Sequence, residues 1–149
     1  MKVAIASDHG GYALKEIIRK HLEDKGIEYT DCGTHSEESC DYPDYAELAC
    51  TEVLAGRAQF GILICGTGIG VGISANKIRG IRAALCHDEY SARYARAHND
   101  ANVLTMGARV IGSGLAESIV DVFLAGQFEG GRHARRVAKI AAIEAKNNE

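Results

Sequence analysis

Tryptophan is absent from this 149-residue chain, proline occurs once, and only 6% of residues are aromatic. No low-complexity stretch, repeat or proline-rich linker divides it, so it reads as one domain over 1–149, long enough to bury a substantial core. No apolar run approaches the roughly 20 residues a membrane-spanning helix needs, and no membrane association is expected. The opening "MKVAIASDHGG" runs into a polar loop and not into a signal-peptide cleavage pattern, which points to a cytoplasmic protein. A net charge of −3 lacks the broad basic footprint of a general nucleic-acid binder, so no nucleic-acid partner is expected.

Paired cysteines are lacking too. The five (Cys32, Cys40, Cys50, Cys65 and Cys86) are odd in number and include no CxxC. The six histidines offer no HExxH or similar spacing. Neither a disulfide framework nor a zinc site follows from these patterns, and no metal or cofactor is expected. Four of the cysteines fit the role of small buried or half-buried apolar residues; Cys65 is a separate case.

Short apolar runs alternate with longer segments of helical period. "KVAIAS", "IEYTDCG", "FGILIC", "IRAALCH" and "ANVLTMG" read as five strands. Between and after them, "YALKEIIRKHLEDKG", "YAELACTEVLAG", "GISANKI", "DEYSARYARAH", "GLAESIVDVFLAG" and "RHARRVAKIAAIEAK" read as helices. Parallel neighbours need crossover connections, so this order predicts an α/β fold. It is a doubly wound, Rossmann-like five-stranded parallel sheet with helices on both faces and an extra C-terminal helix. Ligands of such sheets bind beyond the carboxyl ends of the strands. That rule selects Asp8-His9, Cys65-Gly66-Thr67, His87-Asp88 and Arg109, whereas Ala97–Asp100 joins them only if its loop folds back over that edge.

The segment "GILICGTGIGVGISANK" (61–77) carries the densest chemistry. Gly66, Gly68, Gly70 and Gly72 stand at alternate positions, which is neither GxGxxG nor a Walker A loop. What remains is a strand–loop–helix junction whose N–H groups converge at a helix N-terminus, where negative charge is favoured. Tight strand–helix packing alone would need fewer glycines. Cys65 stands at the same place, where dipole and N–H groups would favour a thiolate able to act as nucleophile, redox centre or base. As the last residue of "FGILIC" it could equally be simple core, and position alone leaves both readings open. In "GGRHARR", Arg132 and Arg136 share one helix face in the first turns, where the helix dipole disfavours cations; an anionic partner such as phosphate would explain them.

Taken in order, DHGG (8–11), DYPDYA (41–46), GILICGTGIG (61–70), ANK (75–77), GIRAA (80–84), HND (98–100), GARVIG (107–112) and FEGGRHARRV (128–137) resemble ribose-5-phosphate isomerase type B. That family has relatives acting on allose 6-phosphate and galactose 6-phosphate, and the match runs nearly end to end. The resemblance implies a metal-independent aldose–ketose isomerase of the pentose phosphate pathway, interconverting ribose 5-phosphate and ribulose 5-phosphate through an enediolate. It makes Cys65 the base between C1 and C2 and gives His98 a part in opening the furanose ring. Backbone N–H groups of Gly66, Thr67, Gly68, Ile69 and Gly70 would hold the enediolate oxygens, with Thr67 assisting. Asp8 and Asn99 would bind hydroxyls, and His9, Arg109, Arg132 and Arg136 the phosphate. The C-terminal arginines would come from the second subunit of a homodimer or of a tetramer built from it. One branch of the family places a glutamate base where this chain has Val71, which cannot accept a proton. Competing expectations are a hexose 6-phosphate isomerase on the same scaffold, a sugar-phosphate-binding protein without chemistry, and a thiol redox protein, the last disfavoured by the missing CxxC.

Overall fold

The β-forming, nearly all-apolar run KVAIAS makes β1 (Lys2–Ser7), which leads into helix α1 (Tyr12–Asp24) and the short β2 (Glu28–Asp31). Helix α2 (Tyr42–Leu54) precedes β3 (Phe60–Cys65), every residue of which is buried. Helix α3 (Ile69–Asn76), β4 (Ala83–Leu85), α4 (Glu89–Ala97), β5 (Val103–Gly107), α5 (Ser113–Ala125) and α6 (Arg132–Asn147) complete the chain. The structure, a computed structural model, describes residues 1–148.

The sheet has the order β2-β1-β3-β5-β4 and every pairing is parallel, as the strand–helix alternation predicts. The chain leaves β1 for β2 on one side and returns to β3 on the other. The crossovers therefore diverge at the β1–β3 pair, where Ser7 stands against Ile64. Diverging crossovers leave a crevice at the carboxyl ends of the two strands, the usual ligand position in such sheets. That crevice opens between Asp8 and Cys65.

Alternation along the strands supplies both halves of the core. Val3, Ile5, Ile62, Ile64, Leu104 and Met106 face a layer containing Ile18, Leu22, Ile119 and Phe123. Ala4, Ala6, Leu63 and Cys65 face Ala46, Ala49, Val71 and Ala75. Fully burying one large aliphatic side chain stabilises by about 1.5–3 kcal/mol. The alanine-rich second layer contributes less per residue, but small side chains let α2 and α3 lie close to the sheet.

Three boundaries differ from expectation. Strand β4 shrinks to three residues because it is an edge strand, paired only to β5, with Leu85 exposed. Helix α2 starts three residues early because Pro43 sits comfortably in a first helical turn. Helix α3 begins at Ile69, so that Gly70 and Gly72 are helical and only Gly66 and Gly68 of the four glycines belong to the loop.

One ion pair ties the β2 end to the layer above it. Lys15, fully buried, donates to Asp31 Oδ1 at 2.6 Å and Oδ2 at 2.8 Å, and Gly33 N–H donates to Oδ1 at 2.9 Å. Burial acts to raise the Asp31 carboxyl, but Lys15 and the Gly33 N–H outweigh it and hold the group below its ordinary value. A carboxyl depressed by folding contributes stability in full above its unfolded value of about 3.9 and loses it as the pH falls through the lower folded value. Asp31→Asn should therefore cost about 3 kcal/mol at neutral pH, the low end for breaking a buried pair, because Glu16 Oε1 remains 3.4 Å from Lys15. Denaturant midpoints measured against pH should fall less steeply below about pH 4 in the variant than in the parent.

Candidate active site

At the end of β3 the chain must turn sharply to start α3, and Gly68 makes the turn with φ +76°. A Cβ there would lie 2.7 Å from the Met106 carbonyl carbon, so both conformation and space require glycine. The loop is pinned from two sides. Thr105 Oγ1 donates to Gly68 O at 2.9 Å, and Gly68 N–H donates to Cys65 Sγ at 3.2 Å. Thr67 Oγ1 accepts from Ile69 N–H at 3.2 Å. The first-turn N–H groups of α3 have no carbonyl one turn earlier within the helix, so this end favours an anion.

Around it lies an open cleft of about 390 Å³ lined by Asp8, Tyr42, Cys65, Gly66, Thr67, Ile69, Gly70, Ile73 and Arg109. The Arg109 guanidinium lies over Gly10 and Gly66, and the backbone N–H of Arg109 donates to Gly66 O at 3.0 Å. Asp8 Oδ1 accepts from Gly11 N–H at 3.0 Å, so the residue caps the turn into α1 as well as lining the cleft. His9, beside it, accepts at Nδ1 from Cys40 N–H at 3.2 Å. The cleft thus sets the apolar side chains of Ile69 and Ile73 beside a carboxylate, a guanidinium, a helix N-terminus and one thiol.

The thiols are not equivalent. Burial pushes Cys32 and Cys86 up to about 11 and Cys50 up to about 12, which suits the core role expected for them. Cys65 is also nearly buried at 4% exposure, but its sulfur meets a backbone donor and its residue borders the cleft. His87 and Asp88 take structural parts: His87 Nε2 accepts from Gly107 N–H at 3.1 Å, and Asp88 caps α4 through Ser91 N–H at 2.6 Å.

A second group gathers elsewhere. Helix α4 runs back from the carboxyl edge, so His98 and Asn99 lie where β5 begins. Cys65 pairs with Gly107, where β5 ends. The strand between them is about 13 Å long at 3.3 Å per residue. The loop does not fold back over the carboxyl edge. Asp100, at φ +47°, is held by Arg96 Nη1 at 2.9 Å and Arg82 Nη2 at 3.3 Å, and Ala101 N–H donates to Ala95 O at 2.9 Å. The His98 ring stacks on His133 at 4.0 Å between centroids, which brings the start of α6, with the exposed Arg132 and Arg136, to the same edge. Burial, the neighbouring His98 and Arg132 hold His133 below the ordinary histidine value. Within one chain, then, Asp8, Gly66, Thr67, Gly68, Ile69, Gly70 and Arg109 accompany Cys65; His9 follows Asp8 but is held against Cys40 and does not line the cleft, and His98, Asn99, Arg132 and Arg136 form a separate set.

The sequence model of the ribose/galactose isomerase family matches residues 3–140. The chain belongs to that family. Ribose-5-phosphate isomerase B of Escherichia coli is 51% identical over 147 residues, 99% of each chain. The solved ribose-5-phosphate isomerase B of Clostridium thermocellum superposes with a TM-score of 0.97 at 53% identity, covering 98% of this chain and 99% of that one. A Mycoplasma genitalium ribose-5-phosphate isomerase B, solved with bound ribulose 5-phosphate, superposes with a TM-score of 0.92 at 44% identity, covering 98% and 97%. The chain is accordingly a sugar-phosphate isomerase of the ribose/galactose family.

Two residues near these sets escape a reading of the family motifs. Tyr42 lies in DYPDYA, and its ring closes the cleft over Gly70, 2.5 Å from where a Cβ would stand. Glu129, 3.6 Å from His98 Nε2, lies in FEGGRH. Neither has a spacing signal; the quoted motifs are the only hint. The two glycines should respond differently to alanine. In Gly70→Ala the half-exposed Tyr42 ring swings aside, and the unfolding midpoint should change little. Gly68→Ala meets backbone in a left-handed position and should lose about 2–3 kcal/mol together with phosphate-ester binding, read by denaturation and by calorimetric titration.

Proposed function

We propose that this isomerase interconverts D-ribose 5-phosphate and D-ribulose 5-phosphate, with Cys65 as the base of an enediolate mechanism. The observation that carries the reading is the Gly68 N–H aimed at Cys65 Sγ from the head of α3, inside a cleft that also holds Asp8 and Arg109. Removing the proton from C2 of the open-chain aldose places negative charge on the C1 oxygen. Returning that proton to C1, while the hydroxyl proton on the C2 oxygen passes to the C1 oxygen, yields the ketose, so one base on one face serves both carbon steps. Donors fixed in advance at a developing oxyanion are worth roughly 3–4 kcal/mol each; with the Gly68 and Ile69 N–H groups turned to Cys65 Sγ and Thr67 Oγ1, those of Gly66, Thr67 and Gly70 are the ones to provide them. Val71, buried and apolar, offers no alternative base. The pentose assignment draws on relatives named for ribose 5-phosphate at about half identity.

The proposal includes a homodimer with the site between subunits. His98 for ring opening, Asn99 for a hydroxyl, and Arg132 and Arg136 for phosphate stand at the opposite edge of the sheet from Cys65 in their own chain. A partner's copy can supply them. Helix α6 supports this, since His133 is its one buried residue and Ile140 and Ile143 are 48% and 63% exposed. An unpartnered apolar helix face gains from burial against a second copy.

Proton NMR of ribose 5-phosphate in D₂O, without added metal, should show ribulose 5-phosphate with the parent protein. Cys65→Ala should give none while still binding the sugar phosphate. Ketose from hexose 6-phosphates alone would overturn the pentose assignment, and turnover by Cys65→Ala would overturn the base. Mixing Cys65→Ala with His98→Asn tests the shared site. If each centre draws on two chains, random pairing restores about one centre in four; if each chain is complete, the mixture stays dead.

A further inference from the structure

Glu129 and the two stacked histidines form a cluster to which ring opening and phosphate binding assign no joint role. His133 is 7% exposed, and its Nε2 is buried without a hydrogen-bond partner. Leaving such a nitrogen unpaired is costly. Glu129 Oε1 is 3.7 Å away, beyond hydrogen-bond reach, and the same oxygen lies 3.6 Å from His98 Nε2. One ligand atom from each of the three residues falls within 4.8 Å of the others.

We propose that His98, Glu129 and His133 form a binding site for a divalent transition metal of the zinc type. Imidazole and carboxylate donors suit Zn²⁺ and Co²⁺, and zinc bonds of about 2.0–2.1 Å put adjacent ligands of a tetrahedron about 3.4 Å apart. Two of the three edges, at 3.6 and 3.7 Å, already lie near that spacing. A charge-assisted hydrogen bond would instead bring those atoms to about 2.8 Å. The third edge is not yet formed. The rings lie within 8° of parallel, so their lone pairs run side by side and one ring must turn. His98 has the room, with its side chain 34% exposed where α4 ends. Glu129, 54% exposed, opens the site to solvent, and three protein ligands leave a fourth position for water or a phosphate oxygen. The α6 N-terminus and Arg132 oppose a cation here, so binding is weaker than at a structural zinc site.

A metal on His98 Nε2 removes the group that handles the ring proton, so the bound ion inhibits the isomerase. This consequence rests on the reading of His98 given above; the binding itself does not.

Titrating metal-free protein with Co²⁺ should produce the intense ligand-field bands of a four-coordinate ion, saturating at one ion per chain and displaced by Zn²⁺. Glu129→Gln and His133→Gln should each weaken binding by more than about 100-fold, the loss that outer-shell changes already approach. Glu129 is surface-exposed, so its variant tests the site even if His133→Gln does not fold. Absence of those bands, a thiolate charge-transfer band, or unaltered binding in Glu129→Gln would overturn the site. Zinc should also slow ketose formation by the parent more than by Glu129→Gln, each relative to its own metal-free rate. Stoichiometric binding with undiminished turnover would uphold the site and overturn the ring-opening role of His98.

Discussion

The left-handed turn at Gly68 is the constraint on which the rest of the candidate site hangs. It lets β3 stop at Cys65 and α3 start at Ile69, so a thiol and a helix N-terminus come to lie against each other. Thr105 holds the turn from the neighbouring strand, and the turn's own N–H meets the sulfur. A bulkier residue would have to move the backbone near Met106, and with it the register of β3 against β5. The chemistry proposed for the loop needs fixed donors, because donors that must reorganise during the reaction lose most of their advantage. Under the proposed mechanism, rigidity at Gly68 is a functional requirement as well as a steric one.

The same parallel topology that builds this cleft divides the candidate functional residues between two edges. Every helix between parallel strands must carry the chain back to the amino edge. Residues just after a strand therefore line the crevice, and residues just after a helix do not. His98 and Asn99 follow α4, and a network of Arg82, Arg96 and Asp100 fixes their turn at that far edge. The aspartate of the HND triplet is explained by this network. Two edges of one sheet cannot meet, but two copies of one sheet can, and the exposed face of α6 offers the surface for it.

Much of this was legible in the residues. Strand and helix order, parallel pairing and the buried β3 follow from periodicity and from apolar runs too short for anything but a covered strand. The cleft residues after β1, β3 and β5 follow from the carboxyl-edge rule, and the family from motifs in fixed order along nearly the whole chain. Boundaries were less legible. Edge position, which patterning does not encode, cut β4 to Ala83–Leu85, and helical packing absorbed Gly70 and Gly72 into α3.

The sequence by itself determined the architecture, the family and the chemical types available, because each depends on local propensity, hydrophobic period or motif order. Only the tertiary structure decided which of those types are neighbours. It moved Tyr42 over Gly70 and separated His98 from Cys65 within a chain. It brought His98, Glu129 and His133 within 4.8 Å although the first lies more than 30 positions before the others. Contacts between residues distant in the chain are set by crossovers and packing, and no spacing along a sequence records them.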